Sequence, residues 1–93
     1  MLTWTDCLGL CDLTEAEIEA IAEHEHLPEI VALELGNYLV HSAGGVPMIK
    51  QIIRDDIAKA QARGDHKHAG MLKLVLRRFV DTHPERARAV SAA

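Results

Sequence analysis

The sequence predicts an all-α protein, a compact bundle of four main helices with a possible short helix before them. Three observations support this fold class. Capping residues and prolines divide the chain into segments of helical length. Within those segments the apolar residues recur at spacings of three and four, and the chain shows no strand-like alternation and no internal repeat. Glycine-containing breaks separate the later segments.

The first main helix is predicted to begin after Thr14. Thr14 and Glu17 form a capping box, in which each residue satisfies a backbone N–H of the other. Pro28 cannot donate a backbone hydrogen bond and disfavours helical geometry in the residue before it, so this helix should end near His26. The segment TDCLGL, residues 5–10, is the candidate for the additional short helix.

The second main helix is predicted over about residues 28 to 42, with Pro28 in its first turn. Its apolar residues sweep an arc of about 220°, much wider than the stripe of about 100° on a surface helix. We therefore expect this helix to be central. Its remaining stripe holds Ile30, Glu34, Asn37 and His41.

Two longer helices follow, over residues 47–62 and from Asp65 to about Thr82. Pro47 opens the first after Gly44 and Gly45, and Asp65 is the expected N-cap of the second. The core-facing residues that we expect are Ile49, Ile52, Ile53, Ile57 and Ala60 on one helix and Ala69, Leu72, Val75, Leu76, Phe79 and Val80 on the other. Residues 1–83 then form a single helical domain, and residues 84–93 a flexible tail.

Charge is divided unevenly along the chain. Residues 1–49 contain nine of the 14 acids and neither lysine nor arginine, whereas all ten basic residues lie from Lys50 onward. The two halves could pair within one chain, or they could align subunits or present an acidic face to a basic partner. Nucleic acid is not an expected partner, because the chain has a net charge of −4 and few aromatic residues for base stacking.

Composition also bears on the compartment. No apolar run approaches the roughly 20 residues that a bilayer requires, so we expect no membrane association. The first residues lack a basic segment, and Asp6 interrupts their apolar stretch, which argues against a secretion signal. Cys7 and Cys11 are four residues apart, a helical spacing too wide for a disulfide, so free thiols in the cytoplasm are predicted.

The segment AEHEHLPE, residues 22–29, raises the question of a metal site. On a helix His24 and His26 point about 200° apart and cannot share an ion. Glu23 and His26 have the Glu-x-x-His spacing of carboxylate-bridged di-iron bundles, but they lie at a helix end rather than in its middle. We therefore predict no native metal site and no cofactor, with Glu23 and His26 as weak metal candidates.

A stronger candidate is Asp56, which falls among apolar positions of the third main helix. A buried carboxylate is costly unless it has a partner, and an antiparallel hairpin would bring His68 within about one turn of it. Two interpretations stay open: a structural hydrogen bond at the edge of the core, or a small polar pocket. The candidate ligand-binding residues of that pocket are Glu34, His41, Asp56 and His68.

The sequence contains no Gly-rich phosphate loop and no nucleophile elbow. The leading hypothesis is thus a small non-enzymatic helical module that acts through protein–protein contacts, most simply as a homodimer. The alternative is a metal- or small-ligand-binding protein that uses its His, Asp and Glu side chains. A pH-responsive contact is a third hypothesis, because six histidines lie among acids.

Overall fold

The computed structural model describes residues 3–84, and these form five helices without a strand. The helices are α1 (Trp4–Gly9), α2 (Glu15–Glu25), α3 (Glu29–Val40), α4 (Gly45–Ala62) and α5 (His66–Thr82). The predicted all-α bundle of four main helices and a short N-terminal helix is therefore confirmed. The predicted tail from residue 85 onward lies outside the described residues.

Side-chain caps mark the starts of α1, α2 and α5. Thr14 Oγ1 accepts a hydrogen bond from Glu17 N at 3.2 Å, and Glu17 Oε1 accepts one from Thr14 N at 2.9 Å, which completes the capping box of α2. Thr3 and Asp6 form a second capping box on α1. Asp65 caps α5 by accepting a hydrogen bond from His68 N.

The breaks between helices require unusual backbone geometry. His26 ends α2 in the left-handed conformation with φ of 56°, immediately before the restart at Pro28. Gly44 has φ of 77° between α3 and α4, where a residue without Cβ avoids a steric cost. α4 begins at Gly45 and not at Pro47, because the turn at Gly44 lets the helical backbone start two residues before the proline.

The hydrophobic core lies around α4, which packs against α2, α3 and α5. Its buried members are Leu13, Ile18, Ala20, Ile21, Ala32, Leu33, Leu39, Ile49, Ile52, Ile53, Ile57, Ala60, Ala69, Leu72 and Phe79. The predicted core faces of α4 and α5 are thus confirmed apart from Val80, which is exposed, and Val75 and Leu76, which are half-buried. Three charged residues, Glu17, Lys50 and Asp56, are also buried.

The prediction that α3 is central was wrong. α3 packs chiefly against α2 and α4, and its outward side leaves Ile30, Val31 and Tyr38 exposed. α2 and α4 instead occupy the middle of the bundle, because each of them also packs against α5. The wide apolar arc of α3 therefore exceeds what the other residues between 3 and 84 cover.

None of the five described helices has both the length and the apolar content needed to cross a bilayer. Cys7 and Cys11 are free and half-buried, although Cys11 lies after the end of α1 and not on a common helix with Cys7. Partial burial raises the pKa of the Cys11 thiol, which disfavours the reactive thiolate at neutral pH.

Candidate functional site

Asp56 is the most unusual polar residue in the bundle. Its side chain is completely buried in the face of α4 that packs against α2 and α5. Neither carboxylate oxygen has a hydrogen-bond partner among residues 3–84. An ionised carboxylate in such a place loses its hydration without a protein group to replace it, so the charged form is strongly disfavoured.

Two histidine–carboxylate pairs surround Asp56. His68 Nε2 on α5 lies 2.9 Å from Glu23 Oε1 on α2. His24 Nε2 on α2 lies 3.2 Å from Asp55 Oδ2 on α4. These contacts join the acidic half of the chain to its basic half through histidines. We call the group Glu23, His24, Asp55, Asp56 and His68 the polar cluster.

The charge states within the polar cluster follow from these contacts. Burial, and to a lesser extent the neighbouring Glu23, raise the pKa of Asp56 to about 6 against the opposing effects of His24, Lys59 and His68. Asp56 therefore changes its protonation close to physiological pH, with a neutral form in mildly acidic solution.

His24 has the opposite preference. Its Nδ1 lies 2.6 Å from Glu25 Oε2 while its Nε2 faces Asp55, and both ring nitrogens can donate only in the imidazolium form. Burial alone would lower the pKa of His24, but the hydrogen bonds to Glu25 and Asp55 outweigh it and the pKa is raised. A hydrogen bond from Gln51, followed by the one from His24, lowers the pKa of Asp55.

The arrangement can hold a proton at its centre and a cation beside it. It does not present an assembled metal site: within the described part of the chain, the group of side chains close enough to share an ion is Glu15, Glu19 and Glu29, all exposed. Exposed acids of this kind commonly meet without an ion, and Glu15 also accepts a hydrogen bond from Trp4 Nε1.

The structure brings together only part of the predicted pocket. Asp56 and His68 lie in the same cluster, but His68 pairs with Glu23 rather than with Asp56. Glu34 is exposed on α3, and His41 lies at the end of α3, with its Nε2 2.8 Å from Asp12 Oδ2.

His26, the weak metal candidate, is an exposed helix cap, and its predicted companion Glu23 turns instead to His68. His83, at the end of α5, stacks on Phe79 with ring centroids 4.4 Å apart. Its Nε2 lies 3.0 Å from the Asp12 carbonyl oxygen, so His83 and His41 both contact the loop before α2.

Sequence reasoning missed two polar features. Glu17 is almost completely buried as part of its capping box, although its charge would suggest a solvated position. The contact of His24 with Asp55 joins residues 31 positions apart. The capping-box motif was the available signal for Glu17, whereas no local pattern could have indicated the second contact.

Two exposed surfaces also stand out. The first is the open face of α3, defined by Ile30, Val31, Glu34 and Tyr38, on which Tyr38 is 69% exposed. Soluble proteins rarely expose a contiguous group of large apolar side chains, and such groups commonly mark contact sites. The aliphatic and aromatic side chains around Glu34 form a group of this kind.

The second surface is the basic face of α5, defined by Lys67, Met71, Leu74, Arg77 and Arg78. Met71 and Leu74 are more than half exposed, and they lie among the cations at helical spacing. A shallow groove of about 670 Å³ lies along this face. It is lined by Leu74, Arg77, Arg78 and Asp81 of α5 and by Thr14 and Ala16 at the start of α2.

No protein-family model, curated protein or solved structure matches this chain.

Proposed function

We propose that this chain is a small non-enzymatic helical module that binds another protein through the open face of α3, in the simplest case a second copy of itself. The observation that supports the proposal is the exposure of Ile30, Val31 and Tyr38 on the most apolar helix of the bundle. A helix that is apolar over most of its circumference is stable in water when a further surface covers it.

The composition of this face fits a contact site. Tyrosine is enriched at interfaces because its ring buries a large area while its hydroxyl keeps a polar partner. Ile30 and Val31 lie about two turns before Tyr38, so one partner helix could cover all three side chains. Homodimers are the most frequent soluble assemblies, which makes a second copy the simplest partner.

Sedimentation velocity across a range of protein concentrations tests the proposal. We expect the average mass of the wild type to rise with concentration and that of Tyr38→Ala to stay at the monomer value. Met48→Ala is the matched control, because Met48 is another exposed apolar residue but belongs to α4. A wild type that stays monomeric at every concentration would overturn self-association.

The free cysteines support a reducing compartment, and we propose the cytoplasm as the location. Thiols at Cys7 and Cys11 persist where glutathione and thioredoxin keep cysteine reduced. Fractionation of the native cells with an antibody to the chain would check the location.

The second candidate is a metal- or small-ligand-binding protein, and the unpartnered carboxylate of Asp56 favours it. Glu23, His24 and His68 would supply further donors if their mutual pairs opened. Titration calorimetry with Zn²⁺ tests this reading, with stoichiometric binding expected in the wild type and none in His24→Ala or His68→Ala. Equal binding by the wild type and both variants would count against the cluster as the site.

A further inference from the structure

The basic face of α5 is an unpartnered surface. Its cations Lys67, Arg77 and Arg78 form no ion pair with any residue between 3 and 84. The apolar centre of the face, Met71 and Leu74, remains open to solvent. Methionine is a flexible side chain that adapts to irregular partner surfaces, which suits a contact of this kind.

The open face of α3 has the complementary composition. Its apolar residues surround one acid, Glu34, whereas the apolar residues of the α5 face lie among cations. The ion pairs between α2 and the later helices are made by His24 and His68, so the arginines of α5 are left for a partner. The arginines of α5 and the acid on the open face of α3 therefore lie exposed on two different helices.

We propose that the basic face of α5 on one copy binds the open face of α3 on a second copy, with Arg78 opposite Glu34 and Met71 and Leu74 against Tyr38 and Val31. This inference rests on the self-association proposed above and names the surface that receives α3. Complementary charge fixes the orientation of such a contact and speeds association, while the apolar residues supply most of the affinity.

The proposed contact joins two different surfaces, so it is heterologous. A heterologous contact closes into a ring or dimer only if its geometry allows and otherwise continues as a chain. An α3-to-α3 contact would instead place Glu34 of one copy close to Glu34 of the other without a cation between them, and like charges in an interface disfavour binding. The heterologous contact avoids that repulsion.

Charge reversal on each surface tests the proposal, with sedimentation velocity at low salt as the measurement. Glu34→Arg and Arg78→Glu should each weaken self-association at least tenfold, because each places like charges opposite one another. An equimolar mixture of the two variants should associate again, since each then meets a complementary surface. Arg54→Glu, a reversal on the exposed side of α4, is the matched control and should behave as the wild type.

The outcomes separate the two proposals. A monomeric wild type overturns self-association and this inference together. Wild-type association that Tyr38→Ala removes but Arg78→Glu leaves unchanged overturns only the α5 assignment and favours an α3-to-α3 contact. Circular dichroism of each variant, expected to match the wild type because both side chains are exposed, excludes loss of folding as the cause.

A basic amphipathic helix could alternatively bind an anionic membrane surface. Flotation with vesicles of phosphatidylcholine and phosphatidylserine tests whether the basic face of α5 binds anionic lipid. Flotation of the wild type that Arg78→Glu removes, together with unchanged self-association of Arg78→Glu, would overturn the proposal. No flotation, with loss of self-association in Arg78→Glu, is the expected result.

Discussion

α3 and α4 are both rich in aliphatic residues, yet the bundle encloses only one of them. α4 packs against three helices, and Ile49 and Ile53 on it are completely buried. α3 packs chiefly against two helices and leaves Val31 and Tyr38 exposed, although its apolar arc is the wider one. The width of an apolar arc therefore indicates how much surface a helix needs covered, and the packing of the other helices decides how much is covered.

This difference has a functional consequence. The narrower apolar face of α4 is covered by the other helices, and its outer side is polar apart from Met48 and a few small residues. The excess apolar surface of α3 is the part that a partner would cover in the proposed assembly. If the comparison is right, substitutions on α4 should affect folding, and equivalent substitutions on the outer side of α3 should affect association.

The largest expected effect comes from shortening an aliphatic side chain on each helix. Ile53→Ala should lower the free energy of unfolding by about 2–5 kcal/mol, because it removes buried methyl groups and leaves a cavity. Val31→Ala on the open face of α3 should change it by less than about 1 kcal/mol. Urea denaturation followed by circular dichroism, at concentrations where the chain is monomeric, measures both.

Equal losses in the two variants would break the comparison, since they would place Val31 in the folding core. A loss of association in Ile53→Ala without a change in stability would also contradict the comparison, because it would assign α4 to the contact with the partner.

The next effect concerns charge on the enclosed helix. The pKa of Asp56 is about 6 in the folded chain and close to 3.8 when the chain is unfolded. The unfolded state thus releases the proton more readily, so Asp56 lowers stability as pH rises from about 4 to 6, and the loss is complete above that range. A shift of this size corresponds to at most about 3 kcal/mol.

Asp56→Asn removes this ionisation and should stabilise the chain near pH 7 by about 2 kcal/mol, with little or no gain near pH 4. The difference between the unfolding free energies of variant and wild type, plotted against pH, isolates the effect from other titrating groups. A flat curve for Asp56→Asn would mean that the carboxylate reaches solvent or a partner.

His24 should add a separate dependence at higher pH. Its pKa is raised in the folded chain, so its contribution to stability is fully present below about 6.5 and is lost as pH rises through the folded value. Because Asp56 and His24 act in the same direction, the wild type should be more stable in mildly acidic than in mildly alkaline solution.

The parts of this structure that were predictable from the sequence are local. Thr14, Asp65 and Pro28 set helix boundaries through contacts with residues three or four positions away. The place of Asp56 among apolar positions of its own helix was also predictable from the helical wheel, whereas its complete burial without a hydrogen-bond partner was not. Each of these inferences needs only helical periodicity and the chemistry of a few adjacent residues.

The parts that were not predictable depend on how helices pack. The neighbours of Asp56 come from the end of α2 and the start of α5, so their identity requires the register between three helices. The peripheral position of α3 is likewise set by α5, which packs against α2 and α4 and not closely against α3. A periodic pattern on one helix contains neither piece of information.

The smallest expected effect tests whether the buried side of α3 is tightly packed. A Cβ added to Gly36 would lie 2.9 Å from Ile21 Cδ1 and would also press on Leu13, so α2 and α3 approach each other closely there. Alanine gains about 1 kcal/mol in helix propensity over glycine, while overpacking typically costs about 1–3 kcal/mol. Gly36→Ala should therefore lower the free energy of unfolding by about 1 kcal/mol.

Gly70→Ala on α5 is the matched control, because a Cβ added to Gly70 meets nothing within 4 Å. It should gain the full propensity difference and stabilise the chain by about 0.5–1 kcal/mol. Opposite signs for the two variants would establish that α3 is peripheral only on its outer side and is closely packed on its inner side. If both alanines stabilised the chain, the contact with Leu13 and Ile21 would be loose, and the exposure of Tyr38 would then reflect a weakly attached helix rather than a surface held ready for a partner.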